Sequence, residues 1–129
     1  MSPELDKQLC DKYPALFRDR HELPEYSAMS FGFECGDGWY NLIDDLCHCI
    51  ESHVNSRKLP PVVVDQVKEK FGALRFYVTG SDDTIEGMIW MAEYMSTRIC
   101  ETCGEKGHLH YGGWIKTACE EHAKQFYGE

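Results

Sequence analysis

The sequence predicts a single α+β domain, residues 1–129, in which helices and a β-hairpin precede a C-terminal metal-binding module. Three observations lead to this fold class. Apolar residues recur with helical spacing at about residues 39–54 and 82–98, and β-branched and alternating residues occupy 62–79. Two pairs of possible metal ligands follow in the last thirty residues. Helix, hairpin and helix in this order are typical of an α+β domain, and 129 residues are the size of one domain.

The chain is expected to begin with a short helix within residues 3–17. Pro3 suits the first helical turn, where its missing N–H is not needed. Apolar residues follow at near-helical spacing, and Pro14 should end or kink the helix because it cannot donate a backbone hydrogen bond. Residues 18–38 contain Pro24 and several glycines and are expected to be irregular.

An amphipathic helix is predicted at about residues 39–54. Asp44, Asp45 and Glu51 lie away from its apolar stripe, which should face the core. Asp37 precedes the helix and is expected to cap it by accepting hydrogen bonds from free N–H groups. The apolar stripe consists of Trp39, Leu42, Ile43, Leu46, Ile50 and His53.

A β-hairpin and a second helix are predicted next. The hairpin should span residues 62–79, with its turn near Glu69-Lys70-Phe71-Gly72, where Gly72 allows positive φ. The helix should span about 82–98 and begin after Ser81, with acidic residues at its positive end. Its expected buried face consists of Ile85, Met88, Ile89, Ala92 and Met95.

The metal-binding module is predicted by four residues: Cys100, Cys103, Cys119 and His122. Zinc prefers four thiolate or imidazole ligands in a tetrahedron. Cys100 and Cys103 are three positions apart on a tight turn, and Cys119 and His122 are three apart on one face of a helical turn. Gly112-Gly113 between the pairs predicts a two-residue hairpin turn. A cysteine turn, a hairpin and a helix over residues 99–127 resemble a treble-clef zinc finger.

Alternatives to this zinc site remain open on the sequence. Cys100 and Cys103 could form a redox dithiol, although such pairs usually open a helix in a βαβ context, or the residues could bind no metal. His108 or His110 could take the place of His122 as the fourth ligand. If all four positions are filled by protein, the site is closed and structural rather than catalytic.

Composition disfavours several classes of function. The chain has 22 acidic and 13 basic residues and a formal net charge of −9, with no basic cluster along the sequence, so binding to nucleic acid is not expected. No apolar run approaches the roughly 20 residues of a membrane span, and no signal peptide is recognisable. Seven cysteines without an export signal indicate metal or redox chemistry in a reducing cytoplasm.

Two further clusters are expected to be structural. Cys35, Cys47, His48 and Cys49 do not suit one metal ion, because neighbours on a helix point in different directions, and buried or half-buried cysteines are favoured. Asp37, Asp44 and Asp45 could suggest a magnesium-dependent nuclease, but adjacent aspartates diverge and no nearby base offers a phosphate clamp.

The remaining candidate features are also expected to be structural. Lys68-Glu69-Lys70 resembles part of a nuclease motif only superficially and is expected to lie at the hairpin turn. No catalytic centre is expected. Most of the larger aromatic residues are expected in the core, and an exposed subset would serve protein recognition. The residues considered are Trp39, Tyr40, Phe71, Phe76, Tyr77, Trp90 and Trp114.

Three stretches within about residues 30–122 resemble a group of small phage and prophage proteins. They are Phe33-Glu34-Cys35-Gly36-Asp37-Gly38-Trp39-Tyr40, the run from Gln66 to Tyr77, and Cys100-x-x-Cys103-Gly104 through Gly113-Trp114 to Cys119-x-x-His122. The group includes a zinc-containing anti-CRISPR protein that blocks the Cas9 nuclease by binding it. The resemblance implies zinc ligation by Cys100, Cys103, Cys119 and His122.

The function that this resemblance implies is stoichiometric inhibition of a host defence nuclease, with Cas9 as the suspected target, in the bacterial host cytoplasm. An acidic surface would suit a basic nuclease. The alternative is a nucleic-acid-binding zinc protein of phage regulation, against which the net charge argues. A small hydrolase and a phage assembly protein are further possibilities.

Overall fold

The computed structural model describes residues 1–128; Glu129, the last residue of the predicted domain, lies outside the described range. The α+β fold class is confirmed. Four helices are formed by Pro3–Lys12 (α1), Tyr40–Arg57 (α2), Asp83–Ser96 (α3) and Glu120–Tyr127 (α4). Five short strands are formed by Phe33–Glu34 (β1), Val63–Lys70 (β2), Ala73–Thr79 (β3), His108–His110 (β4) and Lys116–Ala118 (β5).

Helix α1 ends earlier than the sequence predicts. Its N-cap is Ser2, whose side chain accepts a hydrogen bond from the Leu5 N–H, and Pro3 occupies the first turn as expected. The helix stops at Lys12, two residues before Pro14, and turns follow it. The buried side chains of Tyr13, Leu16 and Phe17 therefore reach the core from turns rather than from a helix.

Helix α2 buries the predicted stripe, but Asp37 is not its cap. Every residue of that stripe is buried except His53, which is half-buried. A 3₁₀ turn, Asp37–Trp39, leads directly into the helix, and its backbone bonds already satisfy the N–H groups of Trp39 and Tyr40. The Asp37 carboxylate instead accepts a hydrogen bond from the Ser2 N–H at 2.7 Å, and so ties α1 to the start of α2.

The main sheet has the strand order β1-β2-β3. Strands β2 and β3 form the predicted hairpin around Phe71 and Gly72, both with positive φ, as a type I′ turn requires. Strand β1, which lies in the segment expected to be irregular, pairs in parallel with Val67 and Lys68 of β2. The sheet, α2 and α3 enclose the principal core.

Helix α3 covers the open edge of the sheet. Asp82 caps the helix by accepting a hydrogen bond from the Ile85 N–H. Ser96 and Glu93 accept hydrogen bonds from the outward-facing N–H groups of Leu74 and Phe76 in strand β3, at 2.9 and 3.0 Å. Two donors that an edge strand would otherwise offer to another chain are thereby satisfied.

Two sequence-based expectations about burial are wrong. Met95 of α3, predicted to be buried, is 42 % exposed, and Met88 is only partly buried. Of the seven aromatic residues expected mostly in the core, Trp39 and Phe76 are buried and Tyr40 is half-buried. The exposed members are Phe71, Tyr77, Trp90 and Trp114.

The C-terminal hairpin also differs from the prediction. Strands β4 and β5 pair from His108–Ala118 to His110–Lys116, so residues 111–115 form a five-residue loop rather than a two-residue turn at Gly112-Gly113. The Tyr127 hydroxyl lies within hydrogen-bond distance of the carbonyl oxygens of His110 and Trp114, at 3.2 and 2.5 Å, and so contacts both ends of the loop. Within residues 1–128, no helix combines the length and the apolar character that crossing a bilayer requires.

Candidate metal centre

Cys100, Cys103, Cys119 and His122 come from two short segments that the fold brings together. Cys100 and Cys103 lie on a tight turn after α3, which is closed by the Cys100 N–H bond to the Glu105 carbonyl at 2.7 Å. Cys119 follows strand β5 and is the N-cap residue of α4, and His122 lies in the first turn of that helix. The Cys119 sulfur accepts a hydrogen bond from the His122 N–H, so the helix start fixes both side chains.

The four donor atoms form a compact group. All four lie within 4.8 Å of one another. His122 Nδ1 is 3.6 Å from the sulfur of Cys100 and 3.3 Å from that of Cys119. The sulfurs of Cys103 and Cys119 are 3.8 Å apart. Three sulfurs and one imidazole nitrogen at these separations are suited to a single metal ion that prefers soft ligands.

The electrostatics of the thiols also favour a cation. Burial disfavours the Cys100 thiolate, but the N–H groups of Cys119, Cys103 and Thr102 point at its sulfur and lower the pKa of Cys100 to about 6. The Glu105 N–H favours the Cys103 thiolate, yet desolvation and the two neighbouring sulfurs raise the pKa of Cys103 to about 11. A positive ion among the three sulfurs would remove this mutual repulsion.

The turn that carries Cys100 and Cys103 is anchored to the main domain at Gly36 and Gly38. The Gly38 N–H donates to the Glu101 carbonyl at 2.7 Å, and the Gly36 N–H donates to the Glu101 carboxylate at 2.9 Å. The Trp39 indole N–H donates to the Ile99 carbonyl at 2.9 Å. The candidate metal centre is therefore tied to the main domain by hydrogen bonds, while its buried residue Cys100 packs in a separate small apolar cluster with Ala118 and Ala123.

This anchor was not identified from the sequence. A Cβ on Gly38 would lie 2.1 Å from the Cys100 carbonyl oxygen, and one on Gly36 would lie 2.4 Å from that of Glu101. The signal was present as two glycines separated by one residue immediately before a predicted helix, a spacing that indicates close backbone approach. The partner Glu101 is mostly buried, and desolvation raises the pKa of its carboxyl group.

The histidines considered as substitutes for His122 lie outside this group. The His110 Nε2 atom is 3.1 Å from the Ala118 carbonyl, to which it can donate, and the His110 ring stacks near those of His108 and Tyr127. The structure therefore groups His122, rather than His108 or His110, with the three cysteines.

The other candidate clusters do not assemble within residues 1–128. Cys35 and Cys47 are buried while Cys49 is exposed, and burial raises the pKa of Cys35 to about 12. The Asp44 carboxylate accepts hydrogen bonds from Lys12, at 2.8 Å, and from the Tyr13 hydroxyl, at 2.6 Å. Lys12 is a base close to Asp44, but its ammonium group is paired with that carboxylate, and the pair links α1 to α2.

No family model, curated protein or solved structure matches the chain.

Proposed function

We propose that the Cys3His group holds one zinc ion whose role is structural. With zinc–sulfur bonds of about 2.3 Å and zinc–nitrogen bonds of about 2.0–2.1 Å, a regular tetrahedron has sulfur–sulfur edges of about 3.8 Å and sulfur–nitrogen edges of about 3.5 Å. Three of the six separations between donor atoms, 3.8, 3.6 and 3.3 Å, support that geometry, and all six are within 4.8 Å. Four protein ligands leave no position for substrate, which supports a structural ion.

Elemental analysis of the purified protein tests this assignment. After dialysis against buffer without chelator, about one zinc per chain is expected. Absence of zinc, or two tightly bound ions, would contradict the single structural site.

We further propose that the protein acts by binding another protein and inhibits a host defence nuclease, with Cas9 as the first target to test. The observation that carries the binding function is the exposure of large apolar side chains in a chain that has a well-formed core. Trp90 and Trp114 are 78 % and 80 % exposed, whereas Trp39 is fully buried. Exposed aromatic anchors contribute a large share of the energy of protein interfaces. The nuclease target rests on the sequence resemblance alone.

The charge of the chain supports a basic partner. A net charge of −9 would accelerate encounter with a positively charged nuclease, and salt would weaken that contribution. Stoichiometric binding predicts that inhibition approaches a fixed ratio of inhibitor to enzyme.

The experiment is DNA cleavage by purified Cas9 with guide RNA, at rising protein concentration and at two salt concentrations. Inhibition that saturates near a fixed ratio, and that weakens at higher salt, is the expected result. An absence of inhibition at large excess would remove Cas9 as the target. Inhibition far below one protein per enzyme would indicate catalysis and overturn the binding mechanism.

One observation favours the second candidate function, binding of nucleic acid. Cross-strand pairing places Lys68 opposite Arg75, with Lys70 on the same outer face of the sheet, while Glu69 points to the other face. None of these three bases forms a salt bridge within residues 1–128. Glu34 of β1 pairs with Lys68 on this same face, so one acidic residue lies among the three bases. The face adjoins the exposed Tyr77.

Gel-shift assays separate the two candidates. At physiological salt and micromolar protein, neither duplex nor single-stranded DNA should be shifted if the protein acts on a protein target. A shift of single-stranded DNA that is lost in the Lys68→Gln variant would favour the nucleic-acid function, because base stacking on aromatic residues and phosphate contacts are combined in single-strand binders.

A further inference from the structure

The three cysteines of the candidate metal centre differ in their access to solvent. Cys100 has no exposed surface and packs in the small apolar cluster of the C-terminal module. Cys103 is exposed, and Cys119 is half-buried. Of the cysteines outside the centre, only Cys49 is exposed. Because a dissolved oxidant must reach the sulfur that it oxidises, Cys103 is the ligand at which the centre can first be attacked.

A surface cavity gives small solutes access to Cys119 as well. The cavity has a volume of about 410 Å³, and Cys119 lies in its wall. A single water molecule needs roughly 10–15 Å³ of such space, so the cavity can admit a molecule as small as hydrogen peroxide. Two of the three sulfurs are therefore within reach of solvent, and the third is not.

The two accessible sulfurs lie close to each other. The sulfur of Cys103 is 3.8 Å from that of Cys119. A disulfide bond is about 2.05 Å long, so the sulfurs have to approach by less than about 2 Å. A disulfide between them would take two of the four ligands from the ion and leave only Cys100 and His122 to hold it.

We propose that Cys103 and Cys119 form a peroxide-sensitive disulfide whose formation releases the zinc ion. The proposal rests on the proposed structural zinc site and adds its regulation by a hydroperoxide. The Cys103 thiolate attacks one oxygen of hydrogen peroxide, the O–O bond breaks, and a sulfenic acid and a hydroxide ion form. The Cys119 thiolate then attacks the sulfenic sulfur, forms the S–S bond and displaces a second hydroxide ion. The two sulfurs together lose two electrons, which the peroxide gains, and the ion leaves as Zn²⁺.

Oxidation should loosen the C-terminal module and leave the main domain folded. The Cys119 sulfur caps α4 by accepting a hydrogen bond from the His122 N–H, and a disulfide would draw this sulfur away from the helix start. All buried residues of the principal core lie between Leu9 and Ala92, so that core does not depend on the metal ligands. Amide hydrogen exchange should therefore lose its protection within residues 100–127 and keep it in β2 and β3.

The Cys49→Ser variant is the protein for the test. It removes the other exposed cysteine, which could otherwise consume peroxide or link two chains. The zinc-loaded variant is treated with hydrogen peroxide, the excess is destroyed with catalase, and free zinc is measured with a chromogenic chelator. About one zinc per chain should be released with the loss of two thiols, and the chain should stay a monomer in non-reducing electrophoresis. Dithiothreitol and added zinc should reverse both changes.

Peptide mapping identifies the cysteines that have been joined. Trypsin cleaves after lysine and arginine, so residues 99–106 form one peptide and residues 117–124 form another. After alkylation of the remaining thiols, mass spectrometry should find these two peptides linked, with the alkyl group on Cys100. A disulfide within the 99–106 peptide, an alkylated Cys103 or a disulfide-linked dimer would overturn the proposal.

Zinc analysis before oxidation separates this proposal from the proposed zinc site. Absence of zinc from the reduced protein would contradict the structural ion and the switch together. A loaded protein that keeps its zinc and its thiols in peroxide would overturn the switch alone and leave the structural site intact. Zinc release without a change in amide exchange within residues 100–127 would overturn the coupling between oxidation and the fold of the module.

Discussion

Replacing Gly38 by alanine should weaken the contact between the main domain and the turn that carries Cys100. The added Cβ would lie 2.1 Å from the Cys100 carbonyl oxygen and 2.6 Å from the Glu101 carbonyl group, whereas ordinary contacts begin near 3.4 Å. Those atoms belong to backbone, so no side-chain rotation can relieve the clash. Gly38 does not have a positive φ, and the cost is therefore steric rather than conformational.

The magnitude follows from two contributions. Overpacking costs about 1–3 kcal/mol, and loss of the Gly38 N–H bond to Glu101 adds about 1 kcal/mol. A destabilisation of about 2–4 kcal/mol is a large part of the roughly 5–15 kcal/mol that separates folded from unfolded domains. The free energy of unfolding, measured by urea titration of the zinc-loaded protein with circular dichroism, should fall by this amount.

Gly87→Ala is the matched control. Gly87 lies within α3, its φ is not positive, and no atom lies within 4 Å of an added Cβ. This variant should be more stable by about 0.5–1 kcal/mol, because alanine loses less backbone entropy in a helix. If Gly38→Ala unfolds within about 0.5 kcal/mol of the native protein, the close backbone packing inferred between Gly38 and Cys100 is wrong.

Two other predictions concern the metal and an ion pair. Cys103→Ser should lose zinc and unfold the C-terminal module, since structural zinc contributes on the order of 10 kcal/mol in finger-like sites. The control is Cys49→Ser, which changes an exposed cysteine outside the group and should keep both zinc and thermal stability. A native near-UV circular dichroism spectrum of Cys103→Ser would contradict a structural ion. Hydrogen bonds from His53, at 2.7 Å, and from the Ile85 N–H lower the pKa of Asp82. The stability that the ionised Asp82 contributes is therefore fully present above the ordinary aspartate pKa of about 4, and it is lost as the pH falls through the lowered pKa. Asp82→Asn can keep the helix cap but not the ion pair, so its unfolding midpoint should depend less on pH below about 4; equal pH profiles would exclude a contribution from this pair.

Local patterns were sufficient to predict much of the fold. Helical spacing identified α2 because its buried stripe is bounded by polar residues on both sides. The hairpin turn was predicted near residues 69–72 because glycine tolerates the positive φ that such a turn needs, and the structure places it at Phe71 and Gly72. The four proposed zinc ligands were found together because spacings of three residues leave little freedom in how each pair can point.

Features that depend on distant residues were not predictable in the same way. Strand β1 has two residues and exists only through its pairing with Val67 and Lys68. Tyr127, whose hydroxyl contacts both ends of the β4–β5 loop, lies well beyond the two glycines that predicted a tight turn. Helix α3 is apolar on more than one side, and periodicity alone does not show which side meets the core; for this reason Met95 was wrongly placed in the interior.

The hydrogen bonds from Leu74 and Phe76 to α3 also bear on how the protein resists aggregation. If α3 separates from the sheet, β3 presents a free edge rich in apolar and aromatic residues, which is a template for intermolecular strand pairing. Arg75, in the middle of that strand, is then the charged residue that interrupts it. Ser96 and Glu93, which hold α3 against this strand, therefore also keep its edge from pairing with other chains.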